Sequence, residues 1–284
     1  MNILVTGAKG QLGQELQYLP QTEGADYLFT DIETLDITRF DAVERFVAEH
    51  KIEVIINCAA YTDVGRAEQE CDKAEQINVR AVENLSTIAK NHDITLVHIS
   101  TDYVFGGNSN KPYTEEMTTA PTNVYGRTKR DGEQAIIQSG CKYIIIRTSW
   151  LYSSYGENFV KKILRLSQEK DTINVVFDQV GTPTYAGDLA LVIKMIAESE
   201  LLNKQGIYHF SNEGAISWYD FAKAIVELSG GRCNVIPCKS TDIESLVSRP
   251  AYSVLDKSKI KATLGMSIPY WKDSLKECLY RING

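Results

Sequence analysis

The 284-residue sequence has no CxxC pair, no metal-ligand spacing among its four histidines, no dense basic stretch and no apolar run of membrane-spanning length. Each absence removes a class of function. The cysteines at 58, 71, 141, 233, 238 and 278 are scattered, and Cys58 and Cys141 lie within or beside apolar strand-like runs, where cysteine acts as a small hydrophobe. Reduced thiols are expected, since a core of this size needs no disulfide framework. Histidines 50, 92, 98 and 209 offer no zinc site. The net charge of -7 argues against a nucleic-acid partner, while an arginine or a helix N-terminus can still bind an anionic ligand locally. The opening MNILVTGAKG goes straight into a buried-strand pattern, so neither an export leader nor a membrane partner is expected, and the location expected is cytoplasmic. No internal repeat or low-complexity tract is visible.

What is present is alternation. Strand-like runs at Ile3–Thr6, Tyr27–Thr30, Val54–Cys58, Thr95–Ile99 and Lys142–Thr148 alternate with helical periodicity at Gln11–Leu19, Phe40–His50, 72–91 and Thr122–Ser139. Within 72–91, Ala74, Ile77, Ala81, Leu85 and Ile88 recur at spacings of three and four. Continuous β-branched strands between amphipathic helices predict an α/β fold, a doubly wound Rossmann-type parallel sheet covered on both faces. After residue 150 come helices at 157–169, from 187 to about 199 and at 217–229, a short strand at 173–177, and a proline-punctuated tail. The expected division is an NAD(P)-binding domain over 1–150 and a smaller substrate-binding lobe over 151–284, with later segments returning to the sheet.

Gly7, Gly10 and Gly13 stand at spacings of three and three, after a strand and before a helix. That context predicts a dinucleotide loop: a tight turn, a close backbone approach to pyrophosphate, and close helix–sheet packing. Asp31 ends the second strand 18 residues after Gly13, where a carboxylate can bond the adenosine ribose and favour NADH. Lys9, inside the loop, could instead pair with a 2′-phosphate and favour NADPH, so the two cues leave NADPH or NADH open. Asp36 and Ile37 could flank the adenine, or Asp36 could equally be a solvated turn residue. Asn57-Cys58-Ala59-Ala60-Tyr61-Thr62 joins small residues to a hydroxyl at a central strand end, where a flat cofactor can pass close to the backbone.

Tyr125 and Lys129 are four apart on a helix, so they share a face about one turn apart. A phenol near pKa 10 is a poor acid–base group, and a neighbouring ammonium is expected to lower it. Ser100-Thr101-Asp102 follows the strand at 95–99, whose C-terminal end a doubly wound sheet delivers to the ligand crevice. A hydroxyl there can bond a substrate oxygen while Tyr125 protonates it. Trp150, just past a strand end, could stack on a sugar or base ring, and Arg249 before Pro250 could clamp a diphosphate.

Together these features resemble the extended short-chain dehydrogenase/reductase family. The likeness is carried by GAKGQLG (7–13), LDIT (35–38), NCAAYTDV (57–64), STDYVFGG (100–107), NVYGRTK (123–129), RTSWLY (147–152), NFVKKILRL (158–166), DQVGTPTYAGDLA (178–190), SWYDFA (217–222) and RPAYSVL (249–255). STDYVF followed by RTSWLY and DQVGTPT points to the branch that reduces dTDP-linked 4-keto sugars. The resemblance implies NAD(P)H-dependent reduction of the C4 ketone of dTDP-4-dehydro-β-L-rhamnose to dTDP-L-rhamnose. It implies a catalytic group of Thr101, Tyr125 and Lys129, with Asp102 and Trp150 near the sugar. Gly10, Gln11 and Leu12 would touch the pyrophosphate, Asp31 and Asp36 the adenosine end, and Ala60, Tyr61 and Thr62 the nicotinamide side, with Asn158 and Arg249 as contacts for sugar and diphosphate. A reductase of another nucleotide-linked 4-keto sugar and a non-catalytic NAD(P)-binding subunit are the alternatives. Two departures stand out. This chain has Asp63 and Gly65 where members commonly carry an acid at 65 instead, a change beside the cofactor loop. Some members form homodimers around Mg²⁺ held by carboxylates. Asp188 sits in the first such region, but the tail WKDSLKECLYRING has no matching acidic cluster, so neither that dimer nor the Mg²⁺ is supported.

Overall fold

The computed structural model describes residues 1–20, 22–243 and 247–283. The first half runs β1 (Asn2–Thr6), α1 (Gln11–Tyr18), β2 (Asp26–Phe29), α2 (Phe40–Glu49), β3 (Val54–Asn57), α3 (Val64–Ala67), α4 (Cys71–Glu75), a π-turn (Gln76–Arg80), α5 (Ala81–Asn91), β4 (Thr95–Thr101), α6 (Val124–Ser139) and β5 (Lys142–Thr148). The second half runs β6 (Leu151–Tyr152), α7 (Phe159–Glu169), β7 (Thr172–Val176), β8 (Val180–Gly181), β9 (Thr184–Tyr185), α8 (Ala186–Ala197), β10 (Gly206–His209), β11 (Ile216–Ser217), α9 (Trp218–Leu228), β12 (Asn234–Cys238), α10 (Ser258–Leu264) and α11 (Trp271–Asn283).

Six strands pair in the order β10-β5-β4-β3-β1-β2, every pair parallel. Side-chain alternation sorts β1 between two cores. Ile3 and Val5 face α1 and α8, while Leu4 joins Val43, Leu85 and Ile136 on the other side. This is a doubly wound Rossmann-type α/β fold with a smaller C-terminal lobe. The chain goes outward from β1 to β2 and then returns to β3 on the other side of β1. That reversal opens a crevice beyond the C-terminal ends of β1 and β3. Tyr152, Val160, Ile163, Phe221, Ile225, Trp271 and Leu275 form a separate core in the second half.

Several elements differ from the sequence expectations. β4 continues to Thr101 because Ser100 and Thr101 still pair with Arg147 and Thr148 of β5. The helix expected over 72–91 is α4, the π-turn and α5 in succession. The tail carries β12, α10 and α11, which proline punctuation concealed. Pro237 is tolerated because β12 pairs with only one neighbour, β7. α11 also joins the lobe to the sheet: Arg281 Nη1 donates to Glu15 Oε2 of α1 at 2.6 Å, and the hydroxyl of Ser153 donates to Glu15 Oε1 at 2.5 Å.

Candidate active site

The glycine loop closes on itself tightly enough to exclude side chains. Gly7 turns at φ +69, and a Cβ added to Gly13 would lie 2.4 Å from the Gly7 carbonyl oxygen. α1 can therefore start against the loop only without a side chain there, leaving backbone N–H groups open to a pyrophosphate. Beside the loop lies a cleft of about 450 Å³ lined by Gly7, Lys9, Asp31, Asp36, Ile37 and Ala59 among others. Asp31 Oδ2 accepts the Lys9 backbone N–H at 2.8 Å, so the carboxylate braces the loop as it faces the cleft. The Lys9 ammonium pairs with exposed Glu33 at 2.9 Å. Asp36 accepts the backbone and hydroxyl of Thr38 at 2.9 and 2.8 Å, closing the turn at the cleft edge. Tyr61 turns its hydroxyl to Glu70 Oε2 at 3.0 Å, away from the lining of both cofactor-side clefts.

A second cavity of about 400 Å³ is bounded by Gly10, Gln11, Leu12, Ala60 and Thr62 on one side and by Thr101, Tyr125, Lys129, Trp150 and Asn158 on the other. Helix α6 is placed by its first turn. Asn123 caps it, accepting the Gly126 N–H at 2.8 Å and donating to the Ser248 carbonyl at 3.0 Å. A Cβ at Gly126 would come 2.2 Å from the Tyr103 carbonyl oxygen, so the helix rests directly on the 3₁₀ turn Asp102–Val104 that follows β4. That contact brings the Tyr125 hydroxyl beside that of Thr101, and both line the same cavity. Thr101 also donates to Asp102 Oδ1 at 3.0 Å and accepts the Tyr103 N–H at 3.2 Å.

The electrostatics differ from the expectation. Burial pushes the Tyr125 phenol well above its ordinary range, with the Thr101 hydroxyl pulling the other way. Lys129 does not lower it. Its Nζ donates to the Ile99 carbonyl at 2.7 Å and lies 3.2 Å from His98 Nε2. Burial lowers Lys129 to about 8, opposed by Glu133 and Cys58. Burial also raises Asp102 to about 6, against the Ser253 and Thr101 hydroxyls.

A third cleft, of about 990 Å³, opens between α7, β7, the start of α9 and the segment around Arg249. Lys162, Gln179, Trp218 and Arg249 line it. Trp150, at φ +48, stacks its indole on Trp218 with centroids 3.6 Å apart and planes 9° apart. Trp150 lines the catalytic cavity and Trp218 the large cleft, so the stack is their shared wall. Asn158 caps α7 and donates to Gln11 Oε1 at 3.0 Å and the Ser153 carbonyl at 2.8 Å, linking the lobe to the glycine loop. Asp63 caps α3 through the Arg66 N–H at 2.9 Å. Asp188 is held by Asn212 Nδ2 at 2.6 Å and Ser274 Oγ at 2.5 Å, and no group of three or more His, Cys, Asp or Glu suited to a metal occurs among the described residues. The Asp188 carboxylate is thus engaged by two hydrogen-bond donors, with Glu277 of α11 as the neighbouring acid.

Sequence reasoning missed His98, Glu133, Lys162 and Trp218. Glu133 was within reach, four residues beyond Lys129 on the same helix. The other three come together only through the fold.

Comparison with known proteins agrees across methods. The family described as RmlD substrate binding domain matches residues 1–283. A dTDP-4-dehydrorhamnose reductase of Aggregatibacter actinomycetemcomitans is 42% identical, over 96% of this chain and 97% of its own. A crystal structure of such a reductase from Clostridium acetobutylicum superposes with TM-score 0.96 at 40% identity, covering 100% of both chains. Another, from Bacillus anthracis in complex with NADP, gives 0.94 at 39% identity over 98% of each.

Proposed function

We propose, for a chain that belongs to the dTDP-4-dehydrorhamnose reductase family, that Tyr125 is the proton donor, Thr101 the hydroxyl that orients the ketone, and Lys129 the anchor of the cofactor ribose. The enzyme is an NAD(P)H-dependent oxidoreductase that reduces the C4 ketone of dTDP-4-dehydro-β-L-rhamnose to dTDP-L-rhamnose. NAD(P)H, when bound, supplies the hydride. The glycine loop, Asp31 and Ala59 would hold its adenosine and pyrophosphate end, and Ala60 and Thr62 its nicotinamide end. That assignment fits a backbone cradle which a Cβ at Gly13 would fill.

Tyr125 is suited to act as an acid because burial keeps it a phenol at neutral pH. As negative charge gathers on the C4 oxygen, the phenol gives up its proton and Thr101 holds that oxygen in line. The observation that carries the reading is the Thr101–Tyr125 hydroxyl contact at the end of β4, in one cavity with the glycine loop. Under this reading the chain divides into a cofactor domain over 1–150, to which α8 and β10 return, and a substrate lobe formed mainly from 151–284. Arg249 and Lys162, in the large cleft, are placed to pair with a diphosphate, and such remote contacts would position the sugar. A homodimer is the assembly considered for this chain, and the roles given to Tyr125, Thr101 and Lys129 require no metal. Six free thiols suit a cytoplasmic setting.

The test supplies freshly epimerised dTDP-4-keto sugar with NADH or NADPH and identifies the product's stereochemistry. Formation of dTDP-L-rhamnose with either cofactor is expected, and no turnover with both would defeat the reading. Asp31→Asn removes the charge facing the adenosine cleft. It should raise the NADPH-to-NADH ratio of kcat/KM on the order of tenfold. An unchanged ratio would take Asp31 out of cofactor choice.

A further inference from the structure

His98 sits in the middle of β4, wholly buried, and its two ring nitrogens have different neighbours. The orientation of Asn57 can be worked out first. Its Oδ1 is 3.2 Å from the Ala59 N–H, which can only donate, and also accepts the Thr6 hydroxyl at 2.7 Å. The Asn57 amide NH₂ therefore faces His98 Nδ1 at 3.0 Å. An amide NH₂ has no lone pair to offer, so Nδ1 must accept. Burial pushes the imidazole well below its ordinary value, so the ring is neutral and its one proton is on Nε2.

That N–H points at Lys129 Nζ, 3.2 Å away. An ammonium has three donors and no acceptor, so a charged Lys129 would set donor against donor in a site only 2% exposed. The amine form removes the conflict: its lone pair accepts from Nε2 while an N–H still reaches the Ile99 carbonyl at 2.7 Å. The other groups near Lys129 are Cys58 beyond β3, and Glu133 and Tyr125 on its own helix. Glu133 is the carboxylate among them. It is already bound by Arg147 at 2.9 and 2.7 Å and by the Ser100 hydroxyl at 2.5 Å, so much of its charge is matched.

We propose that His98 is a positioning residue for the reduction, presenting an N–H fixed by Asn57 to Lys129 and so favouring the neutral amine form of that lysine in the cofactor-free enzyme. The inference builds on Lys129's place in the catalytic group, but the hydrogen-bond argument stands apart from turnover. Its consequence is that the charge of Lys129 changes near neutral pH, close to where the enzyme works.

Two measurements test it. In cofactor-free protein labelled with ¹⁵N-histidine, long-range nitrogen–proton correlations should show His98 with a bare Nδ1 and a protonated Nε2 at neutral pH. The Nδ1–H tautomer, or an imidazolium, would overturn the proposal, and this arm needs no substitution. In the second arm, His98→Gln replaces the opposing N–H with a side chain whose carbonyl can accept from an ammonium. The limb of the kcat/KM-against-pH profile set by Lys129 should then move up by about one unit or more. A lowered kcat with the limb unmoved would mean His98 is only packing, and would also overturn it. If Tyr125 proved dispensable while His98 kept the stated tautomer, only the catalytic assignment would fail.

Discussion

Replacing Tyr125 by phenylalanine should cut turnover on the order of 10²-fold or more while leaving dinucleotide affinity nearly unchanged. The hydroxyl is the only atom removed. The ring keeps its edge-on contact with Tyr103, centroids 5.6 Å apart at 71°, so α6 has no reason to shift. Thr101 keeps its partners Asp102 and Tyr103, which leaves an oriented hydroxyl with no proton donor beside it. Because the loss falls on a group that acts as charge develops on the ketone oxygen, kcat and kcat/KM should fall together. Steady-state rates with NADPH, alongside cofactor titration by fluorescence, measure both halves. Near-wild-type turnover would remove Tyr125 from the chemistry.

Arg147→Met should destabilise the protein by about 3–5 kcal/mol, more than any surface substitution. Arg147 and Glu133 are 3% and 1% exposed and form a two-pronged pair that joins β5 to α6 behind the catalytic group. Removing the guanidinium strands a carboxylate in the core with the Ser100 hydroxyl as its remaining side-chain hydrogen-bond donor among the described residues. The double variant Glu133→Leu/Arg147→Met removes both charges and should regain most of that stability, since an apolar pair of similar volume is often neutral or better. Denaturant unfolding of the two variants compares them directly. If the single variant were no less stable than the double, the cost would not come from an unmatched charge.

How much of this was legible in the sequence depends on the range of the interaction. The alternation of β-branched runs and periodic helices depends on local pattern, and it located β1 to β5 and their helices. Gly7, Gly13, Thr101, Tyr125 and Lys129 were visible because the chemistry fixes their spacing relative to strand and helix ends. What the sequence could not show was direction. Nothing in YGRTK says that the Lys129 side chain turns to Ile99 and His98, because both lie on β4 about thirty residues away. Burial of Tyr125 comes from the same long-range packing, and it reversed the expected shift in acidity. Asn158 shows the opposite limit. It appeared as a sugar contact, yet its hydrogen bonds form a helix cap and a link to Gln11. α11 was hidden for a plainer reason, since the prolines before it suggested a loop although Trp271, Leu275, Cys278 and Leu279 follow a helical spacing.

The stacked indoles of Trp150 and Trp218 have an optical consequence. At 3.6 Å and nearly parallel, two of the chain's three tryptophans form a coupled chromophore pair, one ring bordering each cleft. A ligand that parts or tilts the rings must change their shared ultraviolet dichroism, whereas one that leaves them in register will not. The enzyme thus carries an internal gauge of whether occupancy of the outer cleft is felt at the inner one, readable without a label and before any sugar is reduced.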